Sequence, residues 1–99
     1  MLNQTVLVGR LVETPTVEKN KKERGTKIKL AIPRSYKNTE GDYDTDFITC
    51  LVWGGIADNV TEYCKKGDLI GVKGRLEQQD NNAIVIAEKI TFLSSKKAE

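Results

Sequence analysis

Two aromatic residues and a set of lysines are the side chains of this sequence that are best suited to recognition chemistry. Phe47 and Trp53 lie six positions apart, with Thr49 and Leu51 between them at alternate positions. Flat rings can stack on nucleobases, and lysine or arginine can neutralise phosphates. A surface with two exposed rings also suits a protein partner. The residue types therefore fit three kinds of structure that would cover this surface: a second sheet, a partner subunit, or the flat face of a base.

The segment that carries the rings, residues 44–53, reads Asp-Thr-Asp-Phe-Ile-Thr-Cys-Leu-Val-Trp. Successive side chains of a strand point to opposite faces of its sheet. One set is apolar and is predicted to face the core: Ile48, Cys50 and Val52. The other set is predicted to face outward: Phe47, Thr49, Leu51 and Trp53. We assign Leu51 to packing, and place Trp53 at a rim because Gly54 and Gly55 follow it.

A second strand is predicted over residues 26–33, where Ile28, Leu30 and Ile32 alternate with Lys27, Lys29 and Ala31. If the two strands are neighbours, their outward side chains bring lysines beside the rings. Further candidate contacts follow at the exit of this strand: Arg34, Tyr36 and Lys37. Upstream, a basic run begins at Lys19 and includes Lys21, Lys22 and Arg24. The alternative for that run is a solvated hairpin kept soluble by its charge.

The other elements follow from the same patterns. Strands are predicted over residues 5–11, 69–77 and 83–93, the last with a bulge near Glu88 and Lys89. A helix is predicted over residues 56–66, capped by Lys65, Lys66 and Gly67, with Tyr63 in the core. Three strands, a helix and two strands are the order of an all-β OB-fold, a five-stranded, partly open Greek-key barrel. We expect one domain over residues 1–94 and a frayed end over 95–99.

Composition excludes several other functions. The chain has 99 residues, a net charge of +2, no histidine and two cysteines, Cys50 and Cys64, which we expect to be buried. Asp42, Asp44 and Asp46 alternate, but the glycine and glutamate of a calcium loop are missing. We therefore expect no enzyme, no metal and no cofactor. Without an apolar run long enough to span a membrane, we expect a cytoplasmic protein with no membrane contact.

Ordered blocks along the chain resemble the bacterial single-stranded DNA-binding protein (SSB) family. They are residues 1–11, 30–36, 46–53, 57–60, 65–69 and 71–76, for example Asp-Phe-Ile-Thr-Cys-Leu-Val-Trp and Gly-Val-Lys-Gly-Arg-Leu. The resemblance implies an OB-fold that binds single-stranded DNA with little sequence preference during replication, recombination or repair. It also implies a homotetramer, with a dimer possible. Tyr36, Phe47 and Trp53 match the family's base-stacking aromatics. The full predicted site is Tyr36, Phe47, Trp53, Thr49, Arg34, Lys27, Lys29, Lys37, Lys73 and Arg75.

The sequence departs from the family pattern at two places, and each departure leads to a separate expectation about function. The hairpin over residues 78–82 is short and has no aromatic or basic residue, so we expect a smaller site and weaker binding per subunit. The chain also ends on Ser-Ser-Lys-Lys-Ala-Glu without an acidic tip, so we expect no recruitment of repair enzymes through such a tip. Three origins fit this ending: a tail-less paralogue or mobile-element protein, a primosomal accessory protein, or a truncated form of a longer protein.

Two rival functions use the same fold. An OB-fold protein-interaction or primosome accessory module would bind a protein on the outer face, and DNA contact would be incidental. Single-stranded RNA is the other alternative, because stacking on bases does not inspect the sugar closely.

Overall fold

A computed structural model describes residues 1–16 and 25–95. The six elements are β1 (Thr5–Leu11), β2 (Thr26–Lys37), β3 (Tyr43–Val52), α1 (Gly54–Tyr63), β4 (Leu69–Gln79) and β5 (Asn82–Ser94). The predicted basic run at residues 19–24 and most of the predicted frayed end lie outside the described residues.

The strands form a closed barrel in the order β1-β2-β3-β5-β4. Neighbouring strands are antiparallel except β3 and β5, which run parallel where Cys50 pairs with Val85 and Leu51 with Ile86. This topology, with the single helix between β3 and β4, confirms the predicted OB-fold. The barrel was predicted to be partly open, but it is closed by the contact between β3 and β5.

The core confirms the alternation predicted for β2 and β3. Ile28, Leu30, Cys50 and Val52 are buried, and Ile48 packs against their cluster. The helix contributes Ala57 and Val60 to the same core cluster, and the remaining strands contribute Leu11, Ile70, Val72 and Val85. Burial of these aliphatic side chains is the main force holding the strands in register, because a slip by one residue would turn every one of them outward.

The β4–β5 hairpin is held by tight packing and a bulge. Lys73 pairs with Lys89 and Gly74 with Ala87, so Glu88 is an extra residue in β5, which confirms the predicted bulge. Gly74 is required at this point because a Cβ there would run into the carbonyl group of Ile86.

Three predicted features of the elements are wrong. β2 continues through Arg34 to Lys37, because the ladder absorbs the irregularity after Pro33 instead of ending there. α1 ends at Tyr63 with an extended Cys64 as its C-cap, so Lys65, Lys66 and Gly67 form the following turn and not the helix cap. Tyr63 is 66% exposed and outside the core, because Ala57, Val60 and Cys64 already fill the narrow apolar stripe that faces the barrel.

Candidate nucleic-acid interface

The outer face of β2 and β3 brings the predicted lysines and rings together. Residues paired across an antiparallel ladder lie on the same face of the sheet, and here Lys29 pairs with Thr49 and Ala31 with Phe47. Phe47 is 61% exposed, and its cross-strand partner Ala31 is too small to cover its ring. This face therefore offers an open aromatic surface beside a cation and a half-buried hydroxyl.

Trp53 lies where β3 ends and α1 begins. Its carbonyl oxygen accepts hydrogen bonds from the backbone N–H groups of Ile56 and Ala57, at 3.1 and 3.2 Å, which fixes its backbone. A Cβ on Gly25 would lie 3.1 Å from Cδ2 of Trp53, so the indole packs directly on the backbone of that glycine. The side chain is 41% exposed. Trp53 is thus a ring that is supported on one side and open on another, at the rim that the sequence predicted.

Leu51 is on the same outward parity but is buried, in a small cluster with Ile84 and Ile86 of β5. The parallel contact between β3 and β5 covers it. The burial of Leu51 confirms its assignment to packing. Leu51 also forms an apolar base for this face next to Lys27, its ladder partner on β2.

A groove separates this face from the β4–β5 hairpin. It encloses about 430 Å³ and is lined on one side by Lys27, Phe47, Ile48 and Thr49 and on the other by Gln79, Asp80, Asn82, Ala83 and Ile84. Asp80 and Asn81 form the turn, with left-handed φ angles of 49° and 67°. The short hairpin therefore reaches the candidate site with amide and carboxylate groups, and it brings neither a ring nor a cation.

At the exit of β2, a lysine and an aromatic ring lie side by side. Lys37 pairs with Tyr43 across the ladder after two extra residues in β2, and its Nζ atom lies 5.8 Å from the centre of the Tyr43 ring. Tyr36 precedes it and is exposed. Sequence reasoning placed Tyr36 beyond the end of this strand and did not propose Tyr43 as a site residue. The signal was available, because Tyr43 continues the odd-numbered alternation of Phe47 and Thr49.

Arg34 is engaged on the opposite face of the same hairpin. Its Nε and Nη2 atoms donate to the carboxylate of Asp46 at 2.9–3.3 Å, and its Nη1 atom lies 3.9 Å from Asp44. These hydrogen bonds raise the pKa of Arg34 and hold the pKa of Asp46 below its usual value. Asp46 pairs with Ile32, which packs against the core, so this pair faces away from Phe47.

Lys73 and Arg75 lie on β4, which is a neighbour of β1 and β5 and not of β2 or β3. Lys73 pairs with Val6 of β1. The guanidinium group of Arg75 forms ion pairs with Glu77 at 3.3 Å and Glu88 at 3.4 Å. The structure therefore does not bring these two predicted site residues together with the rings.

The cysteines belong to the core. Both are free, and burial raises the pKa of the Cys50 thiol to about 11. Burial, and then the charge of Asp68, raises the pKa of Cys64. Across residues 1–16 and 25–95, no group of three or more side chains from histidine, cysteine, aspartate and glutamate is placed to hold a metal ion. In the same part of the chain no helix is long and apolar enough to cross a membrane.

The sequence matches the model of the single-strand binding protein family over residues 2–91. Single-stranded DNA-binding protein B of Bacillus subtilis is 32% identical, with 100% of this chain and 96% of the relative covered. Single-stranded DNA-binding protein 1 of Clostridium acetobutylicum is 33% identical, with 97% of each covered. Single-stranded DNA-binding protein 1 of Staphylococcus aureus is 38% identical over 100% of this chain, but the match spans 65% of that longer relative.

Proposed function

This chain belongs to the single-strand binding protein family, and from that premise we propose that it binds single-stranded DNA with little sequence preference through the outer face of β2 and β3. Phe47 and Trp53 present open rings on the face that also carries Lys27 and Lys29. This juxtaposition is the observation that carries the proposal. Stacking accepts any base because every base has a π-face, and lysines follow the phosphates.

The proposed contacts differ in strength by position. Phe47, Trp53 and Tyr36 stack on bases, each stack contributing about 1–3 kcal/mol. Lys27, Lys29 and Lys37 neutralise phosphates, and the hydroxyl of Thr49 donates or accepts a hydrogen bond within the groove. Arg34, Lys73 and Arg75 make smaller contributions. Two of these three, Arg34 and Arg75, are already paired with carboxylates, and Lys73 lies on another strand of the barrel.

The family description and the names of the relatives describe DNA binding and no catalytic activity. They confirm the prediction that this chain is not an enzyme. We propose that the protein protects single strands exposed during replication, recombination or repair, in the cytoplasm and in association with the nucleoid. The support is the ligand itself, because unpaired DNA is produced where the chromosome is copied and repaired.

Assembly into a homo-oligomer is a separate part of the proposal. Val6 and Val8 are exposed on the outer face of β1, near the exposed Met1 and Leu2. Aliphatic side chains in such a group are typical of a subunit interface. A tetramer follows the family pattern, and a dimer would bury the same strand.

Titration with oligo(dT) at two salt concentrations, followed by the fluorescence of Trp53 and by light scattering, tests this function. The chain has one tryptophan, so the signal has a single source. We expect stacking to quench the emission and added salt to reverse the quenching. A protein-interaction module would show no quenching at low ionic strength, and this result would refute the proposal. Competition by oligo(U) measures the preference between DNA and RNA.

A further inference from the structure

Tyr43 is an exposed ring that the proposed contacts do not use. It begins β3, ten residues before Trp53, and 56% of it is exposed. At a rise of about 3.4 Å per residue, the two rings lie roughly 34 Å apart along the strand. Phe47 lies between them, four residues from Tyr43. Because the strand alternates without a break, Tyr43, Phe47 and Thr49 have the same parity and line the same face.

Lys37 adds a cation to this ring. The ladder places it opposite Tyr43, with its ammonium nitrogen 5.8 Å from the ring centre. A cation over an aromatic face is attracted by the π-electrons, which holds both side chains at the surface. The pair therefore repeats, at the far end of the hairpin, the combination of ring and lysine that Phe47 and Lys29 form on the barrel.

Two acidic side chains of β3, Asp44 and Asp46, have partners away from Tyr43. Asp44 accepts a hydrogen bond from Asn38 at 3.1 Å and lies near Arg34, and Asp46 is bound by Arg34. Both carboxylates have even parity and lie on the face opposite Tyr43. Lys37 is therefore the charged side chain that the ladder places directly opposite Tyr43, while Glu40 and Asp42 lie in the exposed turn that precedes it.

We propose that Tyr43 and Lys37 form an additional nucleotide subsite, in which the Tyr43 ring stacks on one base and the Lys37 ammonium contacts the adjoining phosphate. The subsite rests on the proposed function and extends it, since it continues the path of the single strand beyond the barrel along the β2–β3 hairpin. Its ligand is one nucleotide of a strand already bound at Phe47 and Trp53.

The test compares Tyr43→Leu and Tyr43→Phe with the wild-type chain, using oligo(dT) of increasing length and Trp53 quenching as the signal. Leucine keeps an apolar side chain but loses the ring, and phenylalanine restores the ring. Tyr63→Leu is the matched control, because Tyr63 is an exposed tyrosine on α1, away from this face. Thermal unfolding verifies that each variant is folded.

We expect Tyr43→Leu to bind the shortest oligomers normally and to bind longer ones at least about fivefold more weakly, the lower end for the loss of one stack. Tyr43→Phe and Tyr63→Leu should bind like the wild type at every length. Lys37→Gln should reduce the slope of log affinity against log salt by about 0.7, the value for one phosphate of a single strand.

Three results would overturn the subsite: normal binding of Tyr43→Leu at all lengths, equal weakening by Tyr43→Phe, or equal weakening by Tyr63→Leu. The proposed function would still stand if the wild type quenches with DNA. Absence of quenching in the wild type would instead refute that function. If Tyr43→Leu does not fold, photocrosslinking of the wild type to an iodouracil-containing strand replaces it, with Tyr43 among the modified residues as the supporting result and its absence as the refuting one.

Discussion

Two outer faces of this barrel carry cations beside apolar side chains, and they differ in the kind of apolar side chain. The face of β2 and β3 combines Lys27 and Lys29 with the exposed rings of Phe47 and Trp53. The face of β1 and β4 combines Lys73 with the exposed aliphatic residue Val6, its direct ladder partner. The total charge of the chain, +2, does not separate them.

The difference indicates two kinds of partner. A flat ring gains free energy by stacking on a flat base, whereas a branched aliphatic side chain gains it by interlocking with another protein surface. The cations differ as well. Within residues 1–16 and 25–95, the observed ion pairs are made by Arg34 and Arg75, so the β4 face has one of its charges tied to Glu77 and Glu88. In our proposal, DNA therefore binds the first face and a second copy of the chain binds the other.

Removal of both rings is the largest expected effect. Phe47→Ala with Trp53→Ala should weaken single-stranded DNA binding about thirtyfold or more, because two stacks at about 1–3 kcal/mol each are lost. Fluorescence anisotropy of a labelled oligo(dT) measures it, since the tryptophan signal is gone. Tyr63→Ala is the control and should bind normally. If the double variant bound as tightly as the wild type, the rings would not be the platform.

Substitution on the other face should act on assembly. Val6→Thr with Val8→Thr keeps the branched shape and replaces two methyl groups of each subunit by hydroxyl groups, at a cost of about 0.8 kcal/mol each. We expect the subunit dissociation constant to rise about tenfold for each altered subunit that contributes to an interface, as measured by light scattering over a dilution series. Trp53 quenching by a short oligomer should be unchanged. Loss of DNA binding with intact assembly would reverse the assignment of the two faces.

The slope of log affinity against log salt gives a finer comparison of the two sets of cations. Lys27→Gln with Lys29→Gln should reduce it by about 1.4, two phosphates at about 0.7 each. Lys73→Gln with Arg75→Gln should reduce it by less than half as much, because β4 lies away from the rings and Arg75 is paired with carboxylates. An equal reduction would mean that the strand wraps onto the β4 face.

The smallest effect concerns the ion pair between Arg34 and Asp46. Arg34 lowers the pKa of Asp46 below 3.8, so the carboxylate stabilises the fold above its unfolded pKa and this contribution disappears as the pH falls through the lower folded pKa. Because the pair is exposed, the stabilisation is small. Asp46→Asn should melt slightly below the wild type at neutral pH, and the two melting temperatures should converge below pH 3.8. A constant difference at all pH values would contradict this role.

Alternation along β2 and β3 was enough to predict both faces of these strands, because the side-chain period of a strand is two whatever surrounds it. Cys50 and Val52 are buried and Phe47 is exposed, as predicted. The order of elements predicted the OB-fold, and the slip of the apolar period at Glu88 predicted the bulge. Alternation and the bulge are local and can be read from a few neighbouring residues, and the order of elements follows once each element has been recognised.

Contacts distant in sequence decided the rest. Alternation shows that Lys73 points outward but not to which side of a closed barrel, and only the strand order places it beside β1. The β2–β3 register brings Arg34 to Asp46, and Tyr43 joins the aromatic face because β3 begins at Tyr43. Tyr63 is exposed because the helix ends there and three smaller residues cover the barrel. The partner of a side chain, the side of the barrel on which it lies and the residue at which an element ends all depend on which surfaces pack together. That packing is decided only when the barrel closes.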